Sequence, residues 1–148
     1  MVMNIETRDI LWVDDDAWHI KGLVYPLERQ GNHITIVETL PEASEIVENN
    51  PTSFDIIILD ILMPQTDQEG NVPDWLAVDA HDGAYGIVFL KRLRDKLNVW
   101  SPILLLSIIG DPIEEFALQD YEPLGFVRKQ DLQPKDVFVA VETLLSAH

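Results

Sequence analysis

Asp55-Ile56-Ile57-Ile58-Leu59-Asp60-Ile61-Leu62-Met63-Pro64 is the stretch from which the architecture of this chain can be worked out. Asp55 to Leu59 is a near-continuous apolar run of strand length, rich in β-branched residues. Such a strand belongs in a parallel sheet with both faces covered. It stops abruptly at a carboxylate, Asp60, and Pro64 bars any simple continuation.

Working outward, the same grammar repeats. Upstream, Ile10 to Val13 is a first strand that stops at Asp14, Asp15 and Asp16, and His33 to Val37 is a second. Ile20, Leu23, Val24 and Leu27 lie between them at helical spacing, with Pro26 expected to kink or break that helix. Thr39 and Glu42 have the spacing of a capping box that opens a helix running to about Asn49. Downstream, Ile87, Leu90, Leu93 and Leu97 mark a helix, and Ile103 to Ser107 a fourth strand. A short helix within Pro112 to Asp120 and a strand from Phe126 to Arg128 follow. Pro134 then opens a last helix with the stripe Val137, Ala140, Val141, Leu144 and Leu145. Five strands alternating with five helices predict an α/β fold around a parallel sheet.

Residues 65–82 break the rhythm. Connections in α/β units usually take two to six residues, and this acidic segment is far longer. Its Trp75 and Leu76 stand among Asp67, Glu69, Asp74, Asp79 and Asp82. They predict either a docking element or lid, or a loop that folds its own tryptophan down. His81 stands beside Asp79 and Asp82 without a second histidine or a cysteine at ligand spacing, which favours an exposed histidine over a metal ligand.

Composition excludes several functions. The chain has 148 residues, 47% of them hydrophobic, enough for one core and the expected single domain. No apolar run approaches the roughly 20 residues of a membrane helix, and Met1 to Asp9 has no signal-peptide pattern, so a cytoplasmic setting is expected. Without cysteine there is no disulfide or thiolate site. Twenty-six acidic against ten basic residues give a net charge of −16, which repels nucleic acid and anionic membrane. The densest basic group, Lys91, Arg92, Arg94 and Lys96, reads as the solvated face of a helix.

Ligands in open parallel sheets bind beyond the carboxyl ends of the strands. Those ends supply Asp14, Asp15 and Asp16 from the first strand, Asp60 from the third, Ser107 from the fourth and Lys129 from the fifth. Asp14, Asp15 and Asp60 together crowd negative charge, which a hard divalent cation relieves. Mg²⁺ suits a few carboxylates together with water and a phosphate oxygen. Lys129 offers a compact positive charge and Ser107 a hydroxyl donor for phosphoryl oxygens. Asp60 as nucleophile would form an acyl phosphate.

Three segments carry a resemblance: Ile10-Leu11-Trp12-Val13-Asp14-Asp15-Asp16, Asp55 through Pro64, and Gly125-Phe126-Val127-Arg128-Lys129. In this order the chain resembles the receiver domain of two-component response regulators along essentially its whole length. The resemblance implies a flavodoxin-like (βα)5 three-layer sandwich with strand order 2-1-3-4-5. It further implies a histidine kinase or phosphotransfer protein as phosphodonor. Asp60 takes the phosphoacceptor position, with Asp15 as a direct metal ligand and Asp14 mostly an outer-shell partner. Leu62 would lend its backbone carbonyl to the metal. Ser107 matches the hydroxyl residue that follows the phosphoryl group, Lys129 the family's lysine, and Phe126 the aromatic that turns inward with that hydroxyl. Phe126 also reads as a plain core aromatic.

Three departures qualify the likeness. Gln130 follows Lys129 where the family has proline, which predicts a trans peptide bond, because a non-proline cis bond costs about 3 kcal/mol. Ile108 replaces a small residue beside Ser107 and is expected to narrow access to Asp60. The third is the insertion at 65–82. Trp12 and Trp100 read as packing, while Trp18 and His19 face either a kinase or, for Trp18, the core. No output domain is expected after His148, so output is expected to pass through an unknown downstream protein. The alternatives are a phosphorylation-independent pseudo-receiver and an aspartyl phosphohydrolase of the haloacid-dehalogenase type. The latter needs a second aspartate two residues after the nucleophile, where this chain has Leu62.

Overall fold

A computed structural model of the chain describes residues 7–108 and 110–147. Most of the Met1 to Asp9 stretch, Ile109 and His148 therefore lie outside the described residues. Five parallel strands, β1 (Asp9–Val13), β2 (His33–Val37), β3 (Ile56–Asp60), β4 (Ile103–Ser107) and β5 (Leu124–Arg128), form one sheet in the order 2-1-3-4-5. Helices α1 (Ala17–Arg29), α2 (Leu40–Asn49), α3 (Tyr85–Asp95), α4 (Pro112–Glu115) and α5 (Pro134–Ser146) connect them. This is the flavodoxin-like sandwich expected of the alternating pattern.

Strand periodicity divides the core in two. Leu11, Val13, Ile57, Leu59, Ile103 and Leu105 face α2 and α3, while Ile10, Trp12, Ile56, Ile58, Leu104 and Leu106 face α1 and α5. Because β1, β3 and β4 are apolar on both faces, they belong in the interior of such a sandwich, while β2 and β5 form its edges. Trp12 is fully buried, as expected of a packing residue.

The proline in α1 neither breaks nor ends it; the helix runs through Pro26 to Arg29. An interior proline costs about 3 kcal/mol. Ile20, Val24 and Leu27 are buried on the sheet side of this helix, and each such side chain contributes roughly 1.5–3 kcal/mol. Burial outweighs the proline. At α2 the expected cap is present, Thr39 Oγ1 accepting from the Glu42 backbone N–H at 3.3 Å. The fourth helix is a single turn, capped by Asp111, whose Oδ1 accepts from Ile113 N at 2.9 Å.

The insertion lies down on α3. Leu76 is fully buried in the core, Trp75 packs 6.0 Å from the Phe89 ring, and the Arg92 guanidinium stacks 4.6 Å above that tryptophan. Gln65 Nε2 donates to the Leu76 carbonyl at 2.8 Å, and a parallel bridge from Met63 to Ala84 closes the base of the segment. Two 3-10 turns, Asp74–Leu76 and His81–Gly83, punctuate it. Asp67 Oδ1 accepts from the Glu69 and Asn71 backbone at 2.9 and 2.8 Å, and those donors hold its pKa below the ordinary carboxylate value. Of the two expectations for Trp75, the folded-down tryptophan is the one observed.

The reading of Lys91, Arg92, Arg94 and Lys96 as a solvated face is corrected. Lys91 and Lys96 are exposed, but Arg92 is half-buried on Trp75, and Arg94 is 2% exposed. Arg94 points inward because four backbone carbonyls await its donors, a demand that charge spacing along one helix does not reveal.

Candidate functional site

The carboxyl ends of β1, β3 and β5 meet at one rim. Asp14, directly after β1, is fully buried, and Asp60, the last residue of β3, is 4% exposed. Asp15 is exposed at the mouth. One carboxylate oxygen from each of the three lies within 4.8 Å of the other two. From beyond β5, Lys129 Nζ reaches between them, 3.0 Å from Asp60 Oδ2 and 3.1 Å from Asp14 Oδ2.

Local structure aims these groups. Asp14 Oδ1 accepts from Asp16 N at 2.9 Å, which turns the chain into α1, where Asp16 caps His19 N. Lys129 N donates to the Ser107 carbonyl at 2.7 Å, so the lysine leaves the sheet beside the end of β4. The Lys129–Gln130 peptide is trans, as glutamine in place of proline predicts, and the ammonium still reaches the pocket. Ser107 is fully buried at the same rim, with Oγ 3.5 Å from the Gly110 carbonyl.

The electrostatics follow from crowding. Burial first, and then the neighbouring Asp14 charge, push the Asp60 pKa up to about 6 against the opposing pull of Lys129. Asp15 is raised by partial burial and by Asp14. Burial alone would lower the Lys129 pKa, but the Asp60 and Asp14 carboxylates outweigh it and hold it above its ordinary value. Asp14 Oδ2 is buried and has the lysine charge nearby but no hydrogen-bond donor aligned with it. A buried carboxylate oxygen without a donor is costly. With an all-oxygen donor set around it, the pocket fits a hard divalent cation such as Mg²⁺.

Gly86 was not singled out from the sequence, yet it sets how closely α3 approaches this site. Its N–H donates to the Ile61 carbonyl at 2.9 Å, and a Cβ there would lie 2.3 Å from the Asp60 carbonyl oxygen. Only a glycine at the head of an otherwise apolar-striped helix hints at this. Gly86→Ala should cost about 1–3 kcal/mol by overpacking and shift the Asp60 and Ile61 amide resonances. Gly22→Ala, with nothing within 4 Å of the new methyl, should instead stabilise by roughly 0.5–1 kcal/mol. Urea unfolding of both variants checks the pair, and equal effects would refute the close approach.

The other candidates lie around the rim or away from it. Leu62, 38% exposed, sits at a tight turn in which Met63 N donates to the Ile61 carbonyl at 3.1 Å. Ile108 is 55% exposed at the edge of a neighbouring cleft. Phe126 is 37% exposed on edge strand β5, so it is not a buried core aromatic. Trp18, 77% exposed with Lys21 stacked 4.8 Å from its ring, is not a packing residue. Trp100 is partly exposed and lies against Arg94, its centroid 5.0 Å from the guanidinium carbon. His81 is exposed and pairs with Asp82 at 3.1 Å, and it belongs to no metal-ligand cluster among the described residues. No helix among the described residues is long and apolar enough to cross a membrane.

No protein-family model matches the sequence, and no curated protein matches it. Solved structures do share its fold. A CheY-like response regulator receiver domain protein from Methanospirillum hungatei superposes with a TM-score of 0.68 at 20% identity, over 96% of each chain. The signal receiver domain of a signal transduction histidine kinase from Syntrophus aciditrophicus gives 0.65 at 23% identity, over 95% of this chain and 91% of that one. The non-phosphorylated HemR receiver domain from Leptospira biflexa gives 0.67 at 21% identity, over 94% of each. The chain has the receiver-domain fold.

Proposed function

We propose that this protein is a phosphorylation-dependent signalling switch that accepts a phosphoryl group on Asp60 from a histidine kinase or phosphotransfer protein. The observation that carries the reading is the Lys129 ammonium held 3.0 Å from Asp60 and 3.1 Å from Asp14, with Asp15 at the mouth of the same pocket. In this reading Asp15, Asp60 and the Leu62 carbonyl would hold Mg²⁺, and Asp14 would orient the shell around it. When bound, the cation neutralises charge on the phosphoryl oxygens.

An Asp60 carboxylate oxygen attacks the phosphorus as the phosphorus–nitrogen bond to the donor histidine breaks. The departing imidazole keeps the bonding electrons and takes up a proton. Lys129 remains within reach of a phosphoryl oxygen added at Asp60 and balances its charge. Ser107, buried at the adjacent strand end, donates its hydroxyl to another, and Phe126 on β5 follows its movement. The new charge of about −1.5 to −2 biases an existing conformational equilibrium. A downstream protein in the cytoplasm reads the shifted population. The chain turns over no external substrate beyond this self-phosphorylation and slow hydrolysis.

Incubation with Mg²⁺ and acetyl phosphate should add one phosphoryl group, located to Asp60 by mass spectrometry. Asp60→Asn and a chelator should each abolish the label. Failure under conditions that label a known receiver domain would reject the switch and leave a phosphorylation-independent binding module.

A further inference from the structure

We propose that the cleft between the C-terminal end of the insertion and the α4 turn docks a partner-protein segment in which an apolar side chain is flanked by lysine or arginine. The cleft adjoins the Asp60 pocket and shares Leu62 and Ser107 with it, but it is open in the unmodified chain, so its occupancy requires no phosphoryl group. It encloses about 190 Å³, with Leu62, Ala84, Ile108 and Phe116 providing its apolar surface and Asp82 and Glu115 its lips.

Size and polarity restrict the occupant. Pockets for drug-sized ligands usually span about 300–1,000 Å³, so this one takes a single side chain rather than a metabolite. Leu62 and Ile108 are both large and exposed here, although most large apolar side chains of this protein are buried. Interfaces concentrate their energy where an apolar anchor fills such a pocket.

Charge supplies the rest. No lysine or arginine lines the cleft, its lips are the Asp82 and Glu115 carboxylates with His81 paired to Asp82 at 3.1 Å, and the protein carries a net charge of −16. That field attracts cationic flanks and repels acidic ones. Both walls are preformed. On one side Asp82 and Gly83 turn at φ values of 53° and 77°, and Ala84 is bridged to Met63. On the other, Asp111 Oδ1 caps the α4 turn, 2.9 Å from Ile113 N and 3.3 Å from Glu114 N.

The test is an amide NMR titration of the full chain with three capped tetrapeptides, Lys-Leu-Phe-Arg, Glu-Leu-Phe-Glu and Lys-Ser-Ser-Arg. The first should shift the amides of Leu62, Ala84, Ile108 and Phe116 and bind roughly tenfold more tightly than either of the others. Its affinity should fall as added salt screens the lips. The double variant Asp82→Asn, Glu115→Gln should lose the preference for the basic over the acidic peptide. Both side chains are exposed, and asparagine tolerates the positive φ. No shift at these four amides, equal binding of the basic and acidic peptides, or an unchanged preference in the double variant would each overturn the proposal.

Discussion

Asp60→Asn should make the metal-free protein more stable at pH 7, by about 3 kcal/mol if the whole pKa displacement is realised. In the folded chain the Asp60 carboxyl titrates at about 6, against 3.8 for an ordinary aspartate. Between those values the folded state holds a proton that the unfolded chain has released. Stability therefore falls as pH rises through this window, and above pH 6 the deficit is fully developed. Asparagine cannot ionise and does not repel Asp14, so it removes the deficit. It also leaves Lys129 with Asp14 alone, which trims the gain. Below pH 4 the two proteins should be nearly equal.

At roughly 3 °C per kcal/mol for a chain of this size, the gain is a rise of about 5–10 °C in Tm. Millimolar Mg²⁺ should stabilise the wild type more than the variant and narrow the gap, because the cation binds the folded pocket alone. Thermal unfolding of both proteins from pH 4 to pH 8, with and without Mg²⁺, measures it. A difference curve flat with pH would show that the buried carboxylate is not under the stress assigned to it.

Arg94→Met should cost more, roughly 4 kcal/mol, given the orphaned acceptors it leaves behind. The guanidinium donates through Nε to the Tyr121 carbonyl at 2.9 Å and through Nη1 to Val99 and Ser101 at 2.8 and 2.7 Å. Through Nη2 it donates to Pro123 at 3.1 Å. Burial lowers its pKa to about 10, partly countered by Glu122, and the group stays charged at pH 7. Those carbonyls precede β4 and β5, so one side chain ties α3 to the entry of both strands.

Methionine fills much of the same space but offers no donor, which strips the Tyr121, Val99 and Ser101 carbonyls of the guanidinium, while Pro123 keeps its bond from Ile103 N at 3.1 Å. Arg94→Lys should recover less than half of the loss, because a point-like ammonium cannot span the fork that a planar guanidinium does. The clamp lies at the rim opposite Asp60, so the Asp60 pKa and Mg²⁺ affinity should be unchanged in Arg94→Lys. Urea unfolding of the two variants decides the matter. A loss below about 1 kcal/mol in Arg94→Met would remove the clamp from the account of stability.

Alternation of strand and helix, and the polar residues at strand ends, were legible in sequence because both depend on short-range patterns. A strand covered on both faces must be apolar along its length, and its carboxyl end, beyond the apolar run, is where a polar residue can stand. Asp14, Asp15, Asp60, Ser107 and Lys129 were therefore visible as a set before any coordinates. Their convergence was not. The lysine bridge between two buried carboxylates depends on strand order and register, which bring residues 14, 60 and 129 together across three different segments.

Tertiary structure also decided against several local rules. Pro26 was expected to kink or break α1, but the helix runs through it and three buried side chains outweigh its cost. Arg94 sat in a charged run and should have been solvated, but backbone carbonyls of the segments entering β4 and β5 drew it inside. Gly86 looked like an ordinary helix position, and only the packing of α3 against β3 shows that no side chain fits there. Residues 65–82 read as a long loop able to fold its tryptophan down, and only the tertiary structure shows that Trp75 and Leu76 do so onto α3. Periodicity and end-polarity are properties of a segment alone, whereas burial of a charge, close backbone approach and docking of a loop belong to the partner it meets.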